Sequence, residues 1–304
     1  MANTQTPFQQ GAAFFPEKLR TVLLATEALQ QKSTEEIRLR AGRGLSVLSA
    51  EGTETILTKA EPPSQKELRG VIEIATAASF HTAMDKLCRG YLPLPGGHRL
   101  GIAGSTVMRE GKIHHFRELS SLALRIAHEV AGIAAPVAQQ LLAQRGMGCS
   151  CLILAPPGYG KTTLLRDLIR MYSDEWQLRV GVADERGEIA ALVNGVPQFS
   201  VGTTVDIIDG CGKSEAGLLL LRSMNPQVIA MDEITNPEDI NALSVIAHCG
   251  TAVLATAHGA DTDELYRRPL YRPLLEQQIF QKIIRIERRM GKRSYVVEDA
   301  PCFT

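Results

Sequence analysis

The octet Ala155-Pro156-Pro157-Gly158-Tyr159-Gly160-Lys161-Thr162 joins a short apolar run, Cys151-Leu152-Ile153-Leu154, to a helical pattern opening Thr163-Leu164-Leu165. Strand, glycine-rich loop, lysine, hydroxyl and helix, in that order, form the context of a phosphate-binding loop. The backbone N–H groups of such a loop and the helix N-terminus present partial positive charge to phosphate oxygens. Lys161 then reaches the β- and γ-phosphates, and the Thr162 hydroxyl meets Mg²⁺. Pro157, Gly158, Tyr159, Gly160 and Thr163 complete the cradle. Ala155 stands where the pattern G-x-x-x-x-G-K-[ST] has its first glycine. Alanine keeps the turn as long as its φ is negative.

A phosphate loop calls for an acidic partner at the end of another apolar strand. Val228-Ile229-Ala230-Met231 runs into Asp232-Glu233. Asp232 suits Mg²⁺, held through water, and Glu233 suits the general base that polarises the attacking water. A second cluster, Asp184-Glu185-Arg186, follows the strand pattern Leu178 to Ala183. Glu185 can share the water-activating task and Arg186 can pair with either acid; a charged loop with a salt bridge fits the pattern equally. His258, in Ala255-Thr256-Ala257-His258-Gly259, again follows an apolar strand and faces the crevice where it can read the γ-phosphate. Arg99, Arg117 and Arg125 fall on strand patterns of the first half, where an arginine fork suits phosphate across a domain cleft or subunit boundary. The alternative for each is an ordinary surface arginine. His98, His114, His115, His128 and His248 show no ligand spacing.

The elements that position these groups divide into two sets. Residues 1–16 read as a flexible tail. Pro16 opens a helix with Leu19, Val22, Leu23 and Leu29 at helical spacing. Strands are expected at Glu36 to Arg40, Leu45 to Leu48 and Thr55 to Leu57. Ser64 and Glu67 form a capping box before a helix over Leu68 to Ala77, and Ser79 caps another that ends at Gly90. Tyr91 to Glu118 reads as a meander, with strands His98 to Met108 and Lys112 to Arg117, and Leu122 to Ala127 as one further strand. This predicts an α+β domain over 17–131. In 132–304, helices (Pro136 to Gln144, Lys213 to Met224, and one capped by Asn236) alternate with near-continuous apolar strands, including Thr251 to Ala257. That pattern predicts a parallel sheet covered on both faces. Lys282 to Glu287 and Ser294 to Glu298, around Gly291, read as a closing hairpin.

Composition excludes several classes. The 304 residues hold 33 Lys plus Arg against 33 Asp plus Glu, so no global charge points to nucleic acid or a membrane surface. Aromatics at 5% are few for base-stacking platforms, which argues against direct nucleic-acid binding. No apolar run reaches the roughly 18–20 residues of a membrane helix. The polar stretch Met1 to Gly11 does not read as a signal peptide. The six cysteines form no C-x-x-C pair, so zinc is not expected, and a reducing cytosol fits them.

The acidic loop, the acid-ended strand and Thr256-Ala257-His258-Gly259 resemble the Asp box, Walker B and His box of type II and type IV secretion ATPases. The chain is still more similar to the stage III sporulation protein AA family, over about residues 17 to 300. Glu35-Glu36-Ile37-Arg38-Leu39-Arg40-Ala41-Gly42-Arg43 and Gly96-Gly97-His98-Arg99-Leu100-Gly101-Ile102-Ala103-Gly104 carry that resemblance. So do Ser120-Ser121-Leu122-Ala123-Leu124-Arg125, Asp184-Glu185-Arg186-Gly187-Glu188 and Arg222-Ser223-Met224-Asn225-Pro226. It implies an α/β fold: a RecA-like P-loop ATPase domain with a parallel sheet, preceded by a smaller α+β domain, with ATP and Mg²⁺ held between the two. It implies a ring, a hexamer, on the cytoplasmic face of a membrane complex, doing the work of the mother cell–forespore channel. It carries over Lys161, Thr162, Glu185, Glu233 and His258 as site residues, with Arg99, Arg117 and Arg125 as further candidates. The secretion ATPases have Glu after Gly and an Arg two positions on; here Asp232 precedes Glu233 and Thr235 takes the Arg position. The competing readings are a RecA-like nucleic-acid-binding ATPase and a nucleotide-regulated scaffold without turnover.

Overall fold

The computed structural model describes residues 5–57, 61–76, 87–88, 90–141, 148–289 and 292–301. The chain forms two units, Met1–His128 and Glu129–Thr304.

The first unit opens with α1 (Pro7–Ala12), α2 (Glu17–Leu24) and α3 (Ala28–Ser33). The segment expected as a flexible tail is therefore structured from α1 onward. Phe8, Ala12 and Phe15, one helical face apart, are buried in the unit's core. Thr6 and Gln9 form a capping box with Pro7 at the first turn, so the signal was present in a very short element. The single helix expected after Pro16 is two, broken between Leu24 and Ala28.

Strands β1 (Thr34–Arg40), β2 (Ser46–Ser49) and β3 (Glu54–Ile56) precede α4 (Gln65–Ala75), whose Ser64–Glu67 box is formed on both sides. Then come β4 (Tyr91–Pro93), β5 (Arg99–Arg109) and β6 (Lys112–Arg125). All six pair antiparallel, in the order β3-β2-β1-β6-β5-β4. The two strands expected over Lys112 to Ala127 are one, β6, and the break near Glu118 is absorbed as register shifts against β5. Such bulges add residues without ending a ladder. The helix expected from Ser79 lies largely outside the described residues.

The second unit begins with α5 (Ala135–Leu141), β7 (Cys151–Leu154), α6 (Lys161–Asp174), β8 (Val180–Asp184) and β9 (Val205–Asp209). It continues with α7 (Lys213–Ser223), β10 (Val228–Met231), α8 (Pro237–His248) and β11 (Ala252–Ala257). Two short helices, α9 (Thr262–Arg267) and α10 (Arg272–Glu276), lead to the hairpin β12 (Lys282–Arg289) and β13 (Lys292–Asp299). The order is β13-β12-β7-β11-β10-β8-β9, parallel except for the β12–β13 pair. Edge strand β9 and helices α9 and α10 are additions to what the sequence pattern predicts.

The central strands are buried along their whole length because both faces are covered. Ile153, Val182, Ala230 and Leu254 pack in one cluster with Leu164, Leu165 and Leu168 of α6. Their neighbours Leu152, Ile229, Met231 and Val253 pack in the other, with Leu220 of α7 and Leu243 of α8. Each fully buried aliphatic side chain contributes about 1.5–3 kcal/mol. Gly217 lets α7 lie against the sheet: an added Cβ there would sit 2.0 Å from Met231 Cε. Among the described residues, no helix is long and apolar enough to cross a membrane.

Candidate functional site

Strands β7, β8, β10 and β11 are parallel neighbours, so their carboxyl ends reach one edge of the sheet. Leu154 pairs with Ala257, and Met231 pairs with Ala183. The loops that begin at Ala155, Asp232, Glu185 and His258 leave from that edge, where open α/β sheets bind ligands.

The glycine-rich loop between β7 and α6 turns on Gly158 (φ +77°) and Gly160 (φ +91°), both left-handed. Residues with a Cβ avoid that region. Gly160 also admits a neighbour: an added Cβ would lie 3.1 Å from Nη1 of Arg293 on β13. Lys161 opens α6 and is buried. Its Nζ donates to Ala155 O at 2.8 Å and Pro156 O at 3.1 Å, and lies 2.7 Å from His258 Nδ1. Burial lowers its pKa, opposed by the charges of Asp232 and Glu233.

An ammonium only donates, so His258 Nδ1 accepts and the ring hydrogen sits on Nε2. That nitrogen is 2.8 Å from Glu233 Oε1. The other carboxylate oxygen of Glu233 accepts from Arg186 Nη1 at 3.2 Å. A continuous chain thus runs Lys161, His258, Glu233, Arg186. Glu233 itself has φ +43°, a conformation that costs about 1–2 kcal/mol for a residue with a side chain. Strain of this kind gathers at functional sites.

Asp232 faces the start of α6. Its Oδ2 accepts from Thr162 Oγ1 at 2.7 Å and its Oδ1 from Thr256 Oγ1 at 2.5 Å. The Glu233 N–H donates to Asp232 Oδ1 and to Thr256 Oγ1. Thr162 and Asp232 therefore offer two adjacent hard oxygens beside the loop. That set fits Mg²⁺, which takes one or two protein oxygens and fills its octahedron with phosphates and water.

The acidic cluster after β8 separates into three tasks. Asp184 is buried and accepts from the backbone N–H groups of Glu188, Ile189, Ala190 and Ala191. Burial raises its pKa while those four donors pull it down. It folds its own loop and does not point to solvent. Glu185 pairs with Lys213 Nζ at 3.0 Å, and Arg186 with Glu233. Of the two readings open from the sequence, the salt-bridged loop is seen in the pairs Glu185–Lys213 and Arg186–Glu233.

Lys213, Arg268 and Arg293 escape a motif reading, and Thr256, although inside the Thr-Ala-His-Gly motif, had no role assigned from the sequence. Arg268 donates to His258 O at 2.7 Å and so holds the backbone of that residue. The signal for Thr256 was its place as the one hydroxyl inside an otherwise apolar strand, β11.

Arg99, Arg117 and Arg125 belong to the first unit. Arg99 lies over the Tyr91 ring, 3.8 Å from its centroid. It sits directly opposite Arg125 across β5–β6. Arg125 lies opposite Glu36 on β1, with Nε 3.6 Å from its carboxylate. Like charges face to face on a sheet are unfavourable. Arg117 lines a first-unit cavity with Arg69, Ile72 and Phe116.

Residues 9–296 match the family described as Sporulation stage III, protein AA. The chain is 33% identical over 284 residues to Stage III sporulation protein AA of Bacillus subtilis (strain 168), covering 92% of this chain and 91% of that one. In structure it is similar to the ATPase DotB of Legionella pneumophila, with TM-score 0.57 and 15% identity over 87% of this chain and 76% of that one. It is also similar to the pilus retraction motor PilT with bound ADP, with TM-score 0.61 and 18% identity over 90% and 80%. Identities that low speak for the fold alone: a RecA-like α/β unit preceded in the chain by an antiparallel α+β unit. The chain belongs to the sporulation stage III protein AA family.

Proposed function

We propose that this protein is a Mg²⁺-dependent ATPase and the motor of a secretion-like complex, the channel between mother cell and forespore. The observation that carries the reading is the chain Lys161–His258–Glu233, which ties the phosphate loop to a carboxylate beyond the neighbouring strands. When a triphosphate enters, Lys161 exchanges Ala155 O and Pro156 O for phosphate oxygens, and the amides of Gly158 to Thr163 surround the phosphate chain. Thr162 and Asp232 would hold the metal, which when bound would neutralise phosphate charge. Glu233, aimed by His258 and Arg186, accepts the proton of the attacking water. Phosphoryl transfer asks mainly for positioning and electrostatics, which these groups supply.

Glu185 stands beside this machinery as a second carboxylate. The paired arginines Arg99 and Arg125, together with Arg117, are phosphate-contacting candidates of the first unit, acting in their own subunit or on a neighbour. The working form is a homomeric ring, a hexamer, at the cytoplasmic face of a membrane and in contact with membrane components of the complex. Phosphate release from ATP by the purified chain, with Lys161→Ala as control, tests the reading; a wild-type rate no higher than the control overturns it. Stimulation by single-stranded DNA, falling steeply with salt, would favour the nucleic-acid-binding alternative instead.

A further inference from the structure

Lys213 is the first residue of α7 and is buried. A cation at that position opposes the helix dipole and gains nothing from the helix it opens. Taking an ammonium out of water costs several kcal/mol unless it is fully partnered. Lys213 is fully partnered: Nζ lies 3.0 Å from Glu185 Oε2, 3.3 Å from Asp239 Oδ2 and 3.2 Å from Thr235 Oγ1. Two of the contacts are hydrogen bonds, to Glu185 and Thr235, and the Asp239 contact is an ion pair.

These acceptors come from two loops on the ligand edge. Glu185 follows β8. Thr235 lies two residues beyond Glu233, and Asp239, the third residue of α8, closes the capping box with Asn236 directly after that loop. Asp239 Oδ2 also accepts from Thr235 N at 2.9 Å and Asn236 N at 3.3 Å, and its Oδ1 accepts from Ser214 Oγ at 2.7 Å. Asp239 is buried and immobilised, whereas Glu185 is about two-fifths exposed and held by Lys213. The ammonium is therefore the joint between a fixed acid and a reachable one. It also fills with charge the place beside Thr235 where the sequence lacks an arginine.

We propose that Lys213 is a positioning residue of the hydrolytic site: it fixes the Glu185 carboxylate to the loop that follows Glu233, so the two acidic loops keep one spacing. The inference rests on the ATPase reading above. Glu185 then acts as a carboxylate locked against Lys213, and Glu233 alone takes the proton.

The test is a double-mutant cycle in kcat and KM for ATP hydrolysis by the full chain, using Lys213→Met, Glu185→Gln and both together. Residues that act as one unit lose function non-additively. The expected result is a drop in kcat of about tenfold for each single variant, a KM within about twofold of wild type, and a double variant also down about tenfold. Losses that multiply to about a hundredfold, or an unchanged kcat for Lys213→Met, overturn the proposal. If Lys213→Met does not fold, Glu185→Gln is compared with the double variant, in which both charges of the pair are gone. Equal kcat supports the proposal and a further tenfold loss overturns it. A wild-type chain that releases no phosphate overturns the ATPase reading itself, and the inference falls with it.

Discussion

Lys161 Nζ lies 2.7 Å from His258 Nδ1, so the lysine of the phosphate loop is bonded to the histidine that carries the Glu233 carboxylate. A lysine that turns to phosphate leaves the His258 ring with a free acceptor. On the proposed reading, the histidine registers occupancy at one end and aims the Glu233 carboxylate at the other. His258→Ala is expected to leave nucleotide affinity within about threefold while lowering phosphate release about 10–100-fold, the range of one positioned proton-handling group. Equilibrium binding of a non-hydrolysable ATP analogue beside steady-state rates makes the comparison.

Lys161→Ala removes the one ammonium in the cradle and leaves the Ala155 and Pro156 carbonyls without their donor. Nucleotide affinity should fall at least about 100-fold, roughly 3 kcal/mol. Isothermal titration with ATP and Mg²⁺ reads this directly.

Thr256→Val keeps volume and deletes the hydroxyl that holds Asp232 Oδ1 and the Glu233 N–H. Losing a buried hydrogen-bond partner costs about 1–3 kcal/mol. The expected outcome is lower stability to urea and a several-fold rise in the Mg²⁺ concentration giving half-maximal rate. An unchanged Mg²⁺ requirement would separate Thr256 from the metal role proposed for Asp232.

His98 gives the first unit an acid-sensitive point. It is buried, its Nδ1 accepts from Ala127 N, and its Nε2 has no hydrogen-bond partner among the described residues. Burial, with a smaller push from His128, lowers its pKa to about 4. The unfolded chain, near the ordinary 6.5, binds the proton first as pH falls. Stability is therefore full above pH 6.5 and is lost as pH falls toward 4, by about 3 kcal/mol at most. Urea unfolding followed between pH 7 and 4 should show that slope, and His98→Gln should flatten it.

What the sequence made legible follows from range. The glycine-rich loop before α6, the acids after β10, His258 and the Ser64 and Asn236 caps are local patterns, and each lies beside the strand or helix its pattern predicts. The buried strands were readable because both faces are covered and apolar residues fill all but a few of their positions. Lys213 and Arg293 lie against residues dozens of positions away in the chain, and no local pattern marks them. The α1 helix was missed for a different reason: Phe8, Ala12 and Phe15 do show helical spacing, but six residues yield little periodicity to weigh. In β6 the charged run near Glu118 mimics a turn, and only the pairing with β5 shows that the strand continues.

The central claim is that Glu233 activates water in a site that binds ATP through Lys161. Steady-state phosphate release by wild type and Glu233→Gln, with ATP binding measured on both, tests it most directly. The account predicts that Glu233→Gln binds ATP as tightly as wild type and releases phosphate about 100-fold more slowly or less. Equal rates for the two proteins would contradict it.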